Sequence, residues 1–246
     1  MKLAEHLHGA HAHRHGAHEQ GGQVHRHDAS GGGADTPGVT LEHGRRYDAF
    51  VDAFFFGRRS AVYSRLAELS GARPGDRVLD VGCGTGYFAQ RLARIVAPVV
   101  RSGTQTHQGS VTGVDASAGM LEQARRSAQS AACEFLVGAA ERLEFADGSF
   151  DIVTSSLMLH HLPPELRARA LGEMHRVLRP GGQLLIGEFR PPSTRLGRRL
   201  IASVTGPAMR EDMRSALPGL IREAGFTDLR TGDLRPWITY AQAVRQ

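Results

Sequence analysis

Between Arg77 and Val96 the chain changes hydrophobic period within ten residues, and this stretch limits the fold more than any other. Arg77-Val78-Leu79-Asp80-Val81 is a short apolar run of the kind that forms a buried strand. Gly82-Cys83-Gly84-Thr85-Gly86 follows, and then Phe88 to Val96 has helical spacing. A strand ending in closely spaced glycines before a helix lets a ligand approach the backbone, because no Cβ intervenes. The free N–H groups at the helix start then face that ligand. A dinucleotide site would space its glycines as G-x-G-x-x-G. Here the spacing is G-x-G-x-G with Asp80 just before it, and an acid there repels a pyrophosphate but suits a ligand end that bears an ammonium group.

Strand and helix signals alternate after the loop. Strands are expected at Ser110 to Asp115, Cys133 to Gly138, Phe150 to Ser156 and Gln183 to Phe189, with two more around Thr227 to Leu229 and Ile238 to Val244. Helices are expected at Met120 to Ser130, Pro164 to Leu178 and Met213 to Ala224, the second stopped by Pro180-Gly181-Gly182 and the last capped by Gly225. Repeated strand–helix–strand units predict an α/β fold, a mostly parallel sheet with helices on both faces. Ala97 to Gly109 reads as a surface loop. Upstream, Tyr47, Phe50, Val51, Phe54 and Phe55 have helical spacing, as do Val62, Leu66 and Leu69, which predicts one or two helices ending at Ser70-Gly71.

The first 38 residues differ in kind. His6, His8, His11, His13, His15, His18, His25 and His27 alternate with Gly, Ala and charged residues, and no apolar period is present. Such a segment cannot offset the entropy of ordering, so it reads as a solvated, disordered tail. The His-x-His spacing also permits loose binding of a divalent metal. Three regions result: a tail over 1–38, a helical lid over 39–76 and a ligand-binding domain over 77–246.

Composition narrows the class. Hydrophobic residues at 41% are enough for a real core. No run approaches the roughly 18 apolar residues of a membrane span, and Met1 to Gln20 lacks the apolar centre of a secretory signal, so a cytoplasmic location is expected. Cys83 and Cys133 form no CxxC pair and indicate neither a disulfide framework nor a zinc site. The formal charge of +5 invites a nucleic-acid reading. Lys2 is the only lysine and the arginines are scattered through predicted helices, so no nucleic-acid partner is expected.

Asp115 ends the second strand, where a carboxylate can accept hydrogen bonds from both hydroxyls of a ribose. It can also cap the following helix, a task Ser117 could share.

At this point the sequence resembles the class I S-adenosylmethionine-dependent methyltransferases, in the branch of the menaquinone and ubiquinone C-methyltransferases. The likeness runs from about Tyr47 to Val244. It rests on VLDVGCGTG at 78–86, VDASAGML at 114–121, FADGSFDIVTSSLMLHHL at 145–162 and VLRPGGQLLI at 177–186. The resemblance implies a Rossmann-like sheet of seven strands in the order 3-2-1-4-5-7-6, the seventh antiparallel. It implies S-adenosyl-L-methionine as cofactor and a small-molecule acceptor such as a quinol, a phenol or another secondary metabolite. Asp80, Gly82, Cys83, Gly84, Thr85 and Gly86 would hold the methionine part, Asp115 and Ala116 the ribose, Met120 and Ala140 the adenine. Ser156 would lie beside the transferring methyl. Ala139 departs from the Asp or Asn usual in relatives, leaving either Glu141 as a substitute or a weaker adenine site. His160 and His161, after the fourth strand, are candidate general bases or else packing residues of the helix start. Glu188, at the end of the fifth strand, is expected to point toward the ligand edge, and the N-terminal aromatics to contact the acceptor. An RNA or protein methyltransferase, or a non-catalytic cofactor-binding module, remains the alternative.

Overall fold

The computed structural model describes residues 51–97, 108–194 and 212–246, together with Asp48 and Arg199. The tail over 1–38, Tyr47, Phe50, most of the 97–109 loop and residues 200–211 lie outside the described residues, and so do the expectations that fall on them.

Helix α1 (Arg59–Leu69) leads into β1 (Arg77–Val81) and α2 (Tyr87–Val96). Next come β2 (Ser110–Asp115), α3 (Ala118–Ala128), β3 (Cys133–Val137) and β4 (Phe150–Ser156). A single 3-10 turn, Leu159–His161, links β4 to α4 (Pro164–Val177), and β5 (Leu178–Phe189) follows. The chain ends in α5 (Met213–Glu223), β6 (Phe226–Leu234) and β7 (Ile238–Arg245). The seven strands form one sheet in the order β3-β2-β1-β4-β5-β7-β6. Its first five strands are parallel, whereas β7 runs antiparallel to both β5 and β6.

Alternation along the central strands sorts the core into two layers. Val78, Ile152 and Leu185 face α1, α2 and α3, packing with Leu66, Phe88, Leu92 and Leu121. Their neighbours Leu79, Val153, Leu184 and Ile186 face α4 and α5, packing with Leu171, Met174, Leu217 and Ile221. Because α1 contributes Val62 and Leu66 to the first of these clusters, the segment upstream of β1 is bound into the same core as the sheet.

Local chemistry sets the helix ends. The Ser117 side chain accepts a hydrogen bond from the Met120 amide at 3.2 Å and so caps α3. Pro164 opens α4, with Glu165 in its first turn. Gly225, at φ 92°, ends α5 in a conformation that L side chains avoid.

Two strands run longer than the sequence pattern predicts. β5 starts at Leu178, not Gln183: Leu178 pairs with Phe150, Gln183 with Ile152, and Pro180-Gly181-Gly182 bulges out between them. The glycines therefore interrupt the pairing without ending the strand. β6 extends to Leu234 because it is an edge strand: Arg230, Thr231 and Asp233 are exposed and show no apolar alternation.

Gly113, in the middle of β2, allows β3 and the glycine loop to pack closely. A Cβ there would stand 2.7 Å from the Phe135 ring and 2.9 Å from Cys83 Sγ. Gly113→Ala should cost about 1–3 kcal/mol through overpacking, read as a lower urea midpoint. An unchanged midpoint would mean that the sheet yields there without cost.

Candidate active site

The glycine loop lies at the carboxyl edge of the parallel strands, where this fold class binds ligands. Gly82, Gly84 and Gly86 have φ of 73°, 54° and 76°, a left-handed run open only to glycine at such density. Three hydrogen bonds tie the loop to β2. The Gly82 and Cys83 amides donate to Val114 O at 2.7 and 3.0 Å, and the Gly84 amide donates to Asp115 Oδ2 at 2.8 Å. Asp115 Oδ1 accepts from the Ser117 amide at 2.8 Å. Ser117 thus caps α3 while Asp115 braces the loop, and each Asp115 oxygen retains acceptor capacity toward the cleft.

The cleft above the loop is open at its mouth and lined by apolar side chains with a few polar groups among them, the character of small-molecule sites. Of the residues expected from sequence, Gly82, Cys83, Gly84, Thr85, Asp115, Ala116, Met120, Ala140, Glu141, Ser156 and His161 line it. Asp80, Gly86 and His160 do not. Gly86 starts α2, and a Cβ there would meet the Phe135 ring at 2.7 Å, so packing rather than ligand approach demands the glycine. Ala139, the departure from the family pattern, is buried beside the cleft.

Asp80 sits beneath the loop, 1% exposed. Its Oδ1 accepts from Thr154 Oγ1 at 2.8 Å, while its Oδ2 makes no hydrogen bond of ordinary length among the described residues. Burial pushes its carboxyl up to about 7, only partly countered by the Thr154 hydroxyl. Asp115 is raised for the same reason, with the Ser117 and Gly84 amides pulling the other way.

The two histidines take different places. His160 turns into the core, its Nδ1 2.6 Å from Glu188 Oε2, and Glu188 Oε1 accepts from the Leu159 amide at 2.8 Å. On the other side of the same turn, Arg167 Nε donates to the Leu159 and Leu162 carbonyls at 3.1 and 3.0 Å. A buried acid and a buried base thus hold the turn by its amides and its carbonyls. Glu188 does not line the cleft; being wholly buried, it spends its charge on this turn. His161 stacks on His160 with ring centroids 4.2 Å apart and lines the cleft. Burial, with the neighbouring His160, pushes its imidazole down to about 4. His161 is neutral at physiological pH, and its buried Nδ1 has no partner among the described residues.

Helix α1 supplies cleft residues that the sequence pattern does not reveal, Arg59 and Tyr63. Tyr63 is buried and lines the cleft together with Ser156. Of the expected aromatics Tyr47, Phe50, Phe54 and Phe56, the first two lie outside the described residues and the other two do not line the cleft: Phe54 packs on Phe189 with ring centroids 5.5 Å apart, and Phe56 is 71% exposed at a turn with φ 51°, followed by Gly57 at φ 71°. That turn points the Phe run away from the cleft and brings the next helix onto it. Helical spacing around Val62 predicts the helix, but which polar residue of it meets the cleft depends on this turn. Leu157, Met158 and Leu162 complete an apolar wall.

Among the described residues, no group of His, Cys, Asp and Glu could hold a metal ion, and no helix is long and apolar enough to cross a membrane.

Residues 78–182 match the family model described as a methyltransferase domain. With the strand order and the glycine loop, the chain carries a class I S-adenosylmethionine-dependent methyltransferase domain, the class whose cofactor is S-adenosylmethionine. Within that class it is similar to a demethylmenaquinone methyltransferase of Beutenbergia cavernae, 38% identical over 158 residues that make up 64% of this chain and 59% of that protein. The chain therefore matches about three fifths of that relative's length. Among solved structures, an S-adenosylmethionine-dependent methyltransferase from Aquifex aeolicus superposes with TM-score 0.59 at 18% identity, over 75% of this chain and 89% of that one. The [4+2]-cyclase SpnF superposes with TM-score 0.53 at 28% identity, over 70% and 60%.

Asp80 gives the site a pH signature. An unfolded chain ionises this carboxyl near 3.8, the folded chain near 7. Between those values the folded state holds a proton that the unfolded state has lost, so the contribution to stability falls as pH rises. Asp80→Asn keeps the size without the charge, so its melting temperature relative to wild type should climb from pH 4 to pH 8. A difference independent of pH would show that Asp80 is solvated.

Proposed function

We propose that this chain transfers the methyl group of S-adenosylmethionine to a small acceptor with a hydroxyl-bearing ring, of the quinol or phenol type. One observation carries the reading: the cleft joins the Gly82–Gly84 backbone and Asp115 on one side to Ser156, His161 and the apolar wall Leu157, Met158 and Leu162 on the other. The residues suit the cofactor. A Cβ on Gly84 would meet nothing within 4 Å, so the loop is open there. Acceptor capacity on Asp115 suits the ribose hydroxyls, while Met120 and Ala140 offer apolar and backbone contact to the adenine.

When bound, S-adenosylmethionine supplies a methyl group that is electrophilic without further activation. The chain's task is then mainly to orient the acceptor and exclude water, since alignment alone can be worth effective molarities of about 10⁵–10⁸ M. His161, neutral and with Nδ1 unpartnered, would accept a hydrogen bond from the acceptor hydroxyl and fix its direction. A base whose conjugate acid has a pKa of about 4 takes up protons weakly at neutral pH. His160, turned to Glu188, would position His161 through the stacked ring. The similarity to demethylmenaquinone methyltransferase favours a quinol-type ring. The similarity to SpnF supports a second reading, in which the cleft binds the cofactor and the chain does not methylate.

Calorimetry with S-adenosylhomocysteine should give one site per chain. Asp115→Ala should weaken that binding by roughly 1–3 kcal/mol, the cost of a lost buried hydrogen-bonding partner; unchanged affinity would restrict Asp115 to bracing the loop. Labelled S-adenosylmethionine offered with quinols, phenols, amines and bulk RNA should label the quinols or phenols. Binding without labelling of any of them would favour the second reading.

If orientation dominates, His161→Gln should keep turnover of the labelled acceptor within about tenfold of wild type, and the pH–rate profile should show no limb near 6.5. A loss of about 10²–10⁴-fold would instead mark general-base catalysis.

A further inference from the structure

Arg59 stands out among the cleft residues by charge. It is the one arginine or lysine that lines the cleft among the described residues, in a lining that also holds the acids Asp115 and Glu141. Its side chain is 5% exposed, and its guanidinium lies over the Tyr87 ring, 3.6 Å from the centroid. Two acids hold it from the outer side: Asp48 Oδ1 at 2.8 Å from Nη2 and Asp52 Oδ1 at 3.3 Å from Nη1. The same Asp48 oxygen accepts from Thr85 Oγ1 at 2.8 Å, so the guanidinium is two hydrogen bonds from the glycine loop. Its Nε is buried and has no hydrogen-bond partner among the described residues.

A fixed, desolvated guanidinium donor without an acceptor is costly unless a ligand meets it. The surrounding charges say which ligand. A phosphate group would face Asp115 and Glu141 with one cation already shared by two carboxylates. A zwitterionic end, whose own ammonium offsets its charge, avoids this and can place its carboxylate on Arg59. Planar guanidinium also matches carboxylate better than an ammonium would.

Resting on the cofactor reading above, we infer that Arg59 is the carboxylate-recognising residue of the cleft, receiving the amino-acid end of the cofactor on its Nε edge. Arg59 lies upstream of the matched residues 78–182, so the family match does not assign it. The N-terminal segment that carries Asp48 and Asp52 thereby sets the discrimination between ligands with and without that carboxylate.

The test compares S-adenosylhomocysteine with S-adenosyl-3-thiopropylamine, its decarboxylated analogue, by calorimetry on the full chain. Wild type should prefer the former by about 10- to 100-fold, the range of a charge-assisted hydrogen bond. In Arg59→Met the preference should shrink to within about threefold, mainly through loss of S-adenosylhomocysteine affinity. A preference retained in Arg59→Met would overturn the inference. Equal binding of the two ligands by wild type would overturn it too, whether or not the variant folds. Failure of wild type to bind either ligand would overturn the cofactor reading and this inference together.

Discussion

The Asp115 carboxylate holds the amides of Gly84 and Ser117 at once, and the cleft depends on that pair of hydrogen bonds. One oxygen braces the glycine loop after β1, the other the start of α3 after β2, so two successive strand–helix units are locked at their ligand ends. The loop cannot hold itself: left-handed φ at Gly82, Gly84 and Gly86 carries a high entropy cost, and the amides turned outward need acceptors. Val114 O and Asp115 supply them. A carboxylate that accepts from two loops at once explains why an acid, not merely a helix cap, ends β2.

Around that frame the charges are arranged by burial. Asp80 is kept near its neutral form beneath the loop and His161 in its neutral form at the opposite wall. Arg59 keeps its charge because Asp48, Asp52 and the Tyr87 ring surround it. A ligand carboxylate would find Arg59 already ordered, which limits the entropy lost on binding. The reacting side is built differently: Glu188 and Arg167 clamp the turn that carries His161, and neither touches the cleft.

Much of this was legible in the residues. The β1–loop–α2 unit, the ends of β2 and β4 and the start of α4 follow from glycine spacing, apolar runs and Pro164, which act over a few residues. The miscounted strands were those whose signal is not local. β6 is an edge strand with polar residues on its open side, and β5 passes through Pro180-Gly181-Gly182, a sequence that reads as a stop until β4 pairs on both sides of the bulge. For the site, loop residues were readable because motif and backbone geometry coincide. Gly86 and Asp80 belong to the motif but serve packing and electrostatics behind the cleft.

By itself, then, the sequence determined the order of the elements, the glycine loop and the acid that ends β2, since these are set by backbone conformation and short-range hydrogen bonding. Only the tertiary structure decided which of two adjacent histidines reaches the cleft. A 3-10 turn sends neighbouring side chains in different directions, and Glu188, 28 residues from His160, selects the one that turns inward. The tertiary structure also decided that Arg59, rather than Phe54 or Phe56, lines the cleft. That choice follows from the Phe56-Gly57 turn and from Asp48 meeting Thr85 across 37 residues of chain, a contact that exists only once α1 has packed on the sheet.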